Sequence, residues 1–263
     1  MWQLIDSRTI VLACAVAGMA LSLVTYLIWR AGVTCPGFGR WTAAVALTVI
    51  SSWLVGLRGV VPDWLSIVAG NFCSVASLIL YGEGLHQFHG RRRSPWMFWL
   101  AGLFAASLAY FRYVQDSLAI RVFLTAATLG GGALFYALPL TRTAFRGRSA
   151  GARVVVIALW WLVLGSTFRL LGILRNPGQT DLYSTNTAGL LGLVLYLVVA
   201  PCLPIGCVLA AYERLVAELR ETNANMLLIS HPARQPAHGL ETFGAGQAAL
   251  DVVPLLRFLT STT

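Results

Sequence analysis

Lysine is missing from this 263-residue chain: all 19 basic residues are arginine. Acids are scarce too, at 10, and charged residues make up 11% of the chain, against about a quarter in an ordinary soluble domain. A soluble globular fold is therefore not expected. The formal charge of +9 does not point to nucleic acid, because the arginines form no basic face with interleaved aromatics. The five cysteines (Cys14, Cys35, Cys73, Cys202, Cys207) have neither metal-ligand spacing nor a paired framework, so no metal and no disulfide is expected. No phosphate-binding glycine loop stands outside an apolar run, and no cofactor is expected.

What remains is hydrocarbon, with 57% of residues hydrophobic. Crossing about 30 Å of bilayer core takes roughly 20 apolar residues. Segments 10–29, 41–57, 64–82, 95–111, 119–140, 154–174 and 187–211 qualify, which predicts an all-α bundle of seven transmembrane helices. The first is too long for the apolar part of a cleavable signal peptide and lacks a small-residue cleavage site. Alternate loops hold Arg30 and Arg40; Arg91, Arg92 and Arg93; and Arg142, Arg146, Arg148 and Arg153. The intervening loops hold Arg8, Arg58, Arg112 and Arg175, three of which are balanced by Asp63, Asp116 and Asp181 and the first by Asp6. The positive-inside rule then puts the N-terminus outside and the C-terminus in the cytoplasm of a bacterial inner membrane. Trp2, Trp29, Trp41, Trp64, Trp96, Tyr110, Tyr113 and Tyr183 fall at predicted span ends, as interfacial aromatics do, whereas Trp53, Trp160 and Trp161 are expected between helices.

Ionisable groups inside hydrocarbon are costly and are functional candidates by default. Arg58, Arg121 and Arg169 fall toward the outer side. They have two readings: a cationic cup for an anionic signal, or arginines that snorkel to headgroups or pair with Asp63, Asp116 or Asp181. Asn71 is expected to bond between helices. His86 and His89 lie one turn apart at the cytoplasmic edge, with Glu83 nearby. The arginine triplet that follows would repel a cation, so an interfacial polar turn is expected there and no metal site. "LGGGALF" (129–135) reads as close helix packing. Pro201 and Pro204 in the last span suggest a hinge that passes membrane motion onward.

Beyond the last span, Tyr212, Leu215, Leu219, Thr222, Met226 and Ile229 are spaced 3, 4, 3, 4, 3. That is the seam of a short coiled coil, with Glu213, Arg214, Glu218, Arg220 and Glu221 outside it, and it predicts a parallel homodimeric stalk.

The stalk runs into "ISHPARQPAHGLETF" (229–243). Ser230, His231, Arg234, Gln235, Pro236, His238, Leu240 and Phe243 stand where the phosphoacceptor box of hybrid sensor histidine kinases has Ser-His-x-x-Arg-Gln-Pro-x-His-x-Leu followed by an aromatic. The segment resembles that family over about thirty residues. The resemblance implies that His231 is the phosphoacceptor, and that partners include a kinase catalytic domain or a response regulator. The family's acid after the histidine, which activates the imidazole, is here Pro232, and Ala233 and Ala237 replace larger residues. No nucleotide-binding box follows. The expected organisation is thus a membrane sensor (1–211), a stalk helix (212–230) and a degenerate phosphoacceptor region or tail (231–263), without kinase activity of its own. Two rivals are weaker. Stretches 70–88 and 110–123 also look like the membrane sensors of diguanylate cyclases, but the cyclase signature is absent. For a transporter no inverted repeat is visible.

Overall fold

Helix follows helix through the computed structural model, which describes residues 7–32, 35–91, 96–147, 149–175 and 187–230. The elements are α1 (Ser7–Arg30), α2 (Phe38–Gly56), a π-helical turn (Trp64–Ala69) running into α3 (Gly70–Phe88), α4 (Trp96–Tyr113), α5 (Leu118–Arg146), α6 (Ala150–Arg175) and α7 (Thr187–Ser230). Among the described residues there is no strand, only an isolated bridge between Arg58 and Val61.

Six of these helices are long and apolar enough to cross a membrane: Val11–Arg30, Phe38–Gly56, Trp64–Phe88, Leu118–Arg146, Ala150–Arg175 and Val198–Met226. This is the architecture of a multi-pass membrane protein, since helices satisfy their own backbone groups in lipid. The segment expected to supply a seventh span, α4, has 18 residues and is diluted by Arg112 and by the amphipathic rings of Trp96, Trp99, Tyr110 and Tyr113. Large apolar side chains point outward along the bundle, including Trp99 (83% exposed), Leu103 and Leu23. Trp160 and Trp161, expected between helices, are exposed as well. The Trp160 indole turns along the surface to donate to Thr141 Oγ1 at 3.0 Å.

Small residues and hydroxyls bring the helices together, as they must where the hydrophobic effect gives no drive between helices. Ser51 of α2 donates to the Gly70 carbonyl at 2.8 Å and also pairs with the Ser74 hydroxyl. Gly130 of α5 lies against Ser166 of α6, and Gly151 of α6 lies on the backbone of α7 at Ala210. Asn71 bonds within its own helix, Nδ2 donating to the Ile67 carbonyl at 2.6 Å, and not across to another. Ile67 belongs to the π-helical turn.

Residues Met1–Arg220 form one compact unit and Glu221–Thr263 a second. In the second, every described side chain (residues 221–226) is exposed. In the first, the core gathers around Phe38, Trp41, Leu85, Tyr136, Leu140 and Leu159.

Candidate functional site

That core is built around a charge. Among the described residues Glu83 is the one buried acid, at 2% exposure. The third span was expected to end at residue 82, but α3 continues to Phe88 and carries Glu83 and His86 inward with it.

The local sequence explains the arrangement. Glu83 has a glycine on each side. A Cβ on Gly82 would lie 2.4 Å from the Tyr136 ring, and one on Gly84 would lie 2.5 Å from the Trp41 indole. The two glycines therefore let a ring from α5 and a ring from α2 press directly on the α3 backbone. The Trp41 indole donates to the Tyr81 carbonyl at 3.3 Å. The Tyr136 hydroxyl donates to Glu83 Oε1 at 3.4 Å. Arg40 completes the pair, its Nη1 lying 3.7 Å from Glu83 Oε2 and donating to the Glu83 carbonyl at 3.4 Å. A buried carboxylate is costly unless it is paired and hydrogen-bonded, and these contacts meet that condition. Gly37, just before α2, has φ +89 and sits so close to Gly84 that a Cβ there would lie 2.3 Å from its carbonyl oxygen. Only glycine fits both demands.

His86, one turn beyond Glu83, is 6% exposed, and its ring meets Tyr136 edge-on at 5.2 Å. Neither ring nitrogen bonds to a described residue. The interfacial polar turn expected from His86 and His89 is thus half interior: His86 is in the core, and His89 folds back so that its Nδ1 meets the Leu85 carbonyl at 2.9 Å. No group of three metal-ligating side chains occurs among the described residues.

From this core a chain of contacts leads to the second half of α7. Trp41 touches Phe88 (centroids 5.5 Å apart), and the Arg214 guanidinium of α7 lies over the Phe88 ring at 5.7 Å. Beside it, Glu213 accepts from the first backbone N–H groups of α6, Ala150 at 3.0 Å and Gly151 at 3.4 Å. A helix start carries unsatisfied donors and a partial positive charge, so a carboxylate is a natural cap. Two adjacent residues of α7 are therefore held from two directions, one by the end of α3 and one by the start of α6. On the same helix, Tyr212 (62%), Leu215 (40%), Leu219 (55%) and Met226 (59%) are exposed. Thr222 is exposed as well. The side chain of Ile229, and all of His231, lie outside the described residues. Pro201 and Pro204 both lie inside α7.

The arginines expected to form a cup belong to the opposite end of the bundle. Arg112 pairs with Asp63 and, at 3.0 Å, with Asp116; Arg121 reaches Asp116 at 3.0 Å. Arg58 lies within electrostatic reach of Asp63 and Arg121. The Arg112 hydrogen bond, reinforced by the charges of Arg112, Arg58 and Arg121, holds the Asp63 carboxyl below its ordinary value of 3.8. Arg169 is half-buried in α6.

Sequence reasoning passed over Glu83 as a possible metal neighbour. The signal that finds it is the triplet Gly-Glu-Gly at the end of an apolar run: an acid that hydrocarbon should reject, between two residues that admit aromatic rings. No protein-family model, curated protein or solved structure matches the chain.

Proposed function

We propose that the chain is the membrane signal-sensing module of a two-component sensor histidine kinase. The bundle, with α4 as a seventh span, registers a signal, and α7 carries it as a homodimeric stalk to the phosphoacceptor region at His231. The Glu83 end of the bundle faces the cytoplasm in this reading. The observation that carries it is the grip on the root of α7. Arg214 and Glu213 tie the stalk to α3 and α6, so a shift of either helix is passed to the seam that begins at Tyr212. The buried Glu83–Arg40–Tyr136 cluster gives the bundle a polar core, and in this reading its repacking is the two-state element that the signal biases.

The test is coupling between core and stalk. In membranes, single cysteines at 215 and 219 form intermolecular disulfides whose yield reports the seam. Introducing Glu83→Gln or Arg214→Ala should change that yield by about fivefold, the low end of typical coupling energies. Unchanged yields at both positions in both variants would refute the reading.

A further inference from the structure

We propose that a cleft between α3, α4 and α5 is a binding site for the acyl chain of an anionic phospholipid. The cleft encloses ≈ 430 Å³, within the range of about 300–1,000 Å³ typical of ligand pockets. Val75, Leu78, Leu100, Ala101, Gly131 and Phe135 supply much of its wall, and Thr128 the only hydroxyl among its lining residues. It opens to the outside of the bundle beside Trp96 (49% exposed), Leu100 (45%) and Phe135 (37%). Trp96 and Phe135 meet edge-on at 5.5 Å, and their contact forms one rim.

The glycine triplet of α5 explains why the space exists. Gly130 and Gly132 lie close against their neighbours: a Cβ would lie 2.7 Å from Ser166 in the first case and 3.1 Å from the end of the Leu78 side chain in the second. Gly131 is different, since a Cβ there meets nothing within 4 Å. Packing does not require glycine at 131; what the glycine provides is room. An apolar space does not hold ordered water, and left empty it would forfeit the contacts of its lining. The solvent around this part of the bundle is hydrocarbon, so the occupant is an acyl chain.

The headgroup follows from charge. One helical turn beyond Phe135, Arg91 Nη2 donates to the Pro139 carbonyl at 3.3 Å and to Thr143 Oγ1 at 3.4 Å. Arg91 is exposed, and its Nη1 and Nε make no hydrogen bond to a described residue. They are placed to meet a phosphate above a chain that enters past Trp96. In sequence Arg92 and Arg93 follow, which adds to the attraction for an anionic surface. Phe135 also meets Tyr136 edge-on at 5.2 Å, and Tyr136 bonds Glu83, so two side chains link an occupant of the cleft to the buried acid. Lipid binding stands apart from the signalling reading; only its effect on Glu83 rests on that reading.

The full chain, reconstituted in nanodiscs holding equal phosphatidylglycerol and phosphatidylcholine and released into native mass spectrometry, should retain phosphatidylglycerol by about fivefold over phosphatidylcholine, as one arginine near the surface allows. Gly131→Leu should remove the retained lipid while leaving thermal stability unchanged, because the site is open. Ala127→Leu, on the same wall, serves if that variant fails to fold. Arg91→Gln should keep a lipid but abolish the headgroup preference. Photoreactive phosphatidylglycerol with a diazirine in its chain should label peptides containing Leu100 and Phe135. Retention unchanged by both cleft-filling variants, or a wild-type protein without headgroup preference, would overturn the proposal. Either result would leave the stalk experiment above untouched.

Discussion

Gly82 and Gly84 decide how closely α3 can be approached, and a single methyl group tests the consequence. Gly82→Ala would put a Cβ 2.4 Å from the Tyr136 ring, a side chain that is itself fully buried and has nowhere to swing. Overpacking of this kind costs about 1–3 kcal/mol, so a lower melting temperature is expected in detergent, with partial recovery on adding Tyr136→Leu. At the other end of the bundle Asp63 ties stability to pH. Its folded-state pKa lies below the unfolded one, so its contribution is complete above the ordinary value of 3.8 and is lost as pH falls through the depressed value. Melting temperatures recorded between about pH 6 and pH 3 should fall more steeply for the wild type than for Asp63→Asn. Equal slopes would mean that the Arg112 pair contributes nothing. Arg112, Arg121 and their carboxylates were legible as a set, because an arginine at a span end with an acid nearby has few other partners. Glu83 was not legible. Its burial depends on where α3 stops, and helix ends are the part of a pattern that sequence defines least.

At the scale of elements, the membrane helices were legible because hydrocarbon imposes a length that composition must meet. α4 was the ambiguous one, since tryptophan and tyrosine serve equally at an interface and in a span. α7 follows two rules in turn: an apolar run interrupted by Pro201 and Pro204, then exposed Tyr212, Leu215, Leu219, Thr222 and Met226, whose spacing predicts a seam. Intermolecular disulfide yield from single cysteines should peak at 212, 215, 219, 222 and 226 and fall at 213, 218 and 220. Equal yields along the helix would mean no seam. Each exposed leucine, buried against a second copy, contributes about 1.5–3 kcal/mol, so Leu215→Asn with Leu219→Asn should abolish the crosslinked dimer. The grip at Glu213 and Arg214 could not be read from sequence, because it joins α7 to helices more than sixty residues away by contacts that leave no periodic trace.

For the molecule as a whole, the arginine asymmetry predicts an orientation that labelling can check. Cysteines placed beside Arg91 and Arg142 should resist an impermeant maleimide added from outside the cell, and one beside Asp63 should react. The reverse pattern would invert the proposed topology and detach the stalk from any cytoplasmic partner. Incubated with labelled ATP, the purified chain should remain unlabelled. Acid-labile label on His231 only in the presence of an added kinase catalytic domain would show that the acceptor survives despite Pro232, and label without that domain would refute the division of labour proposed here.

The Glu213 cap also sets an order in time. The ribosome delivers residues from the N-terminus, so α6 is made and inserted while the acceptor for its first amides, 63 residues further along the chain, does not yet exist. Until α7 arrives, the start of α6 must borrow partners from water or from headgroups at the membrane surface. The α5–α6 hairpin is therefore an unfinished intermediate that waits for α7 during biogenesis. A nascent chain halted before residue 213 should leave α6 open to chaperones and membrane proteases that the completed protein escapes.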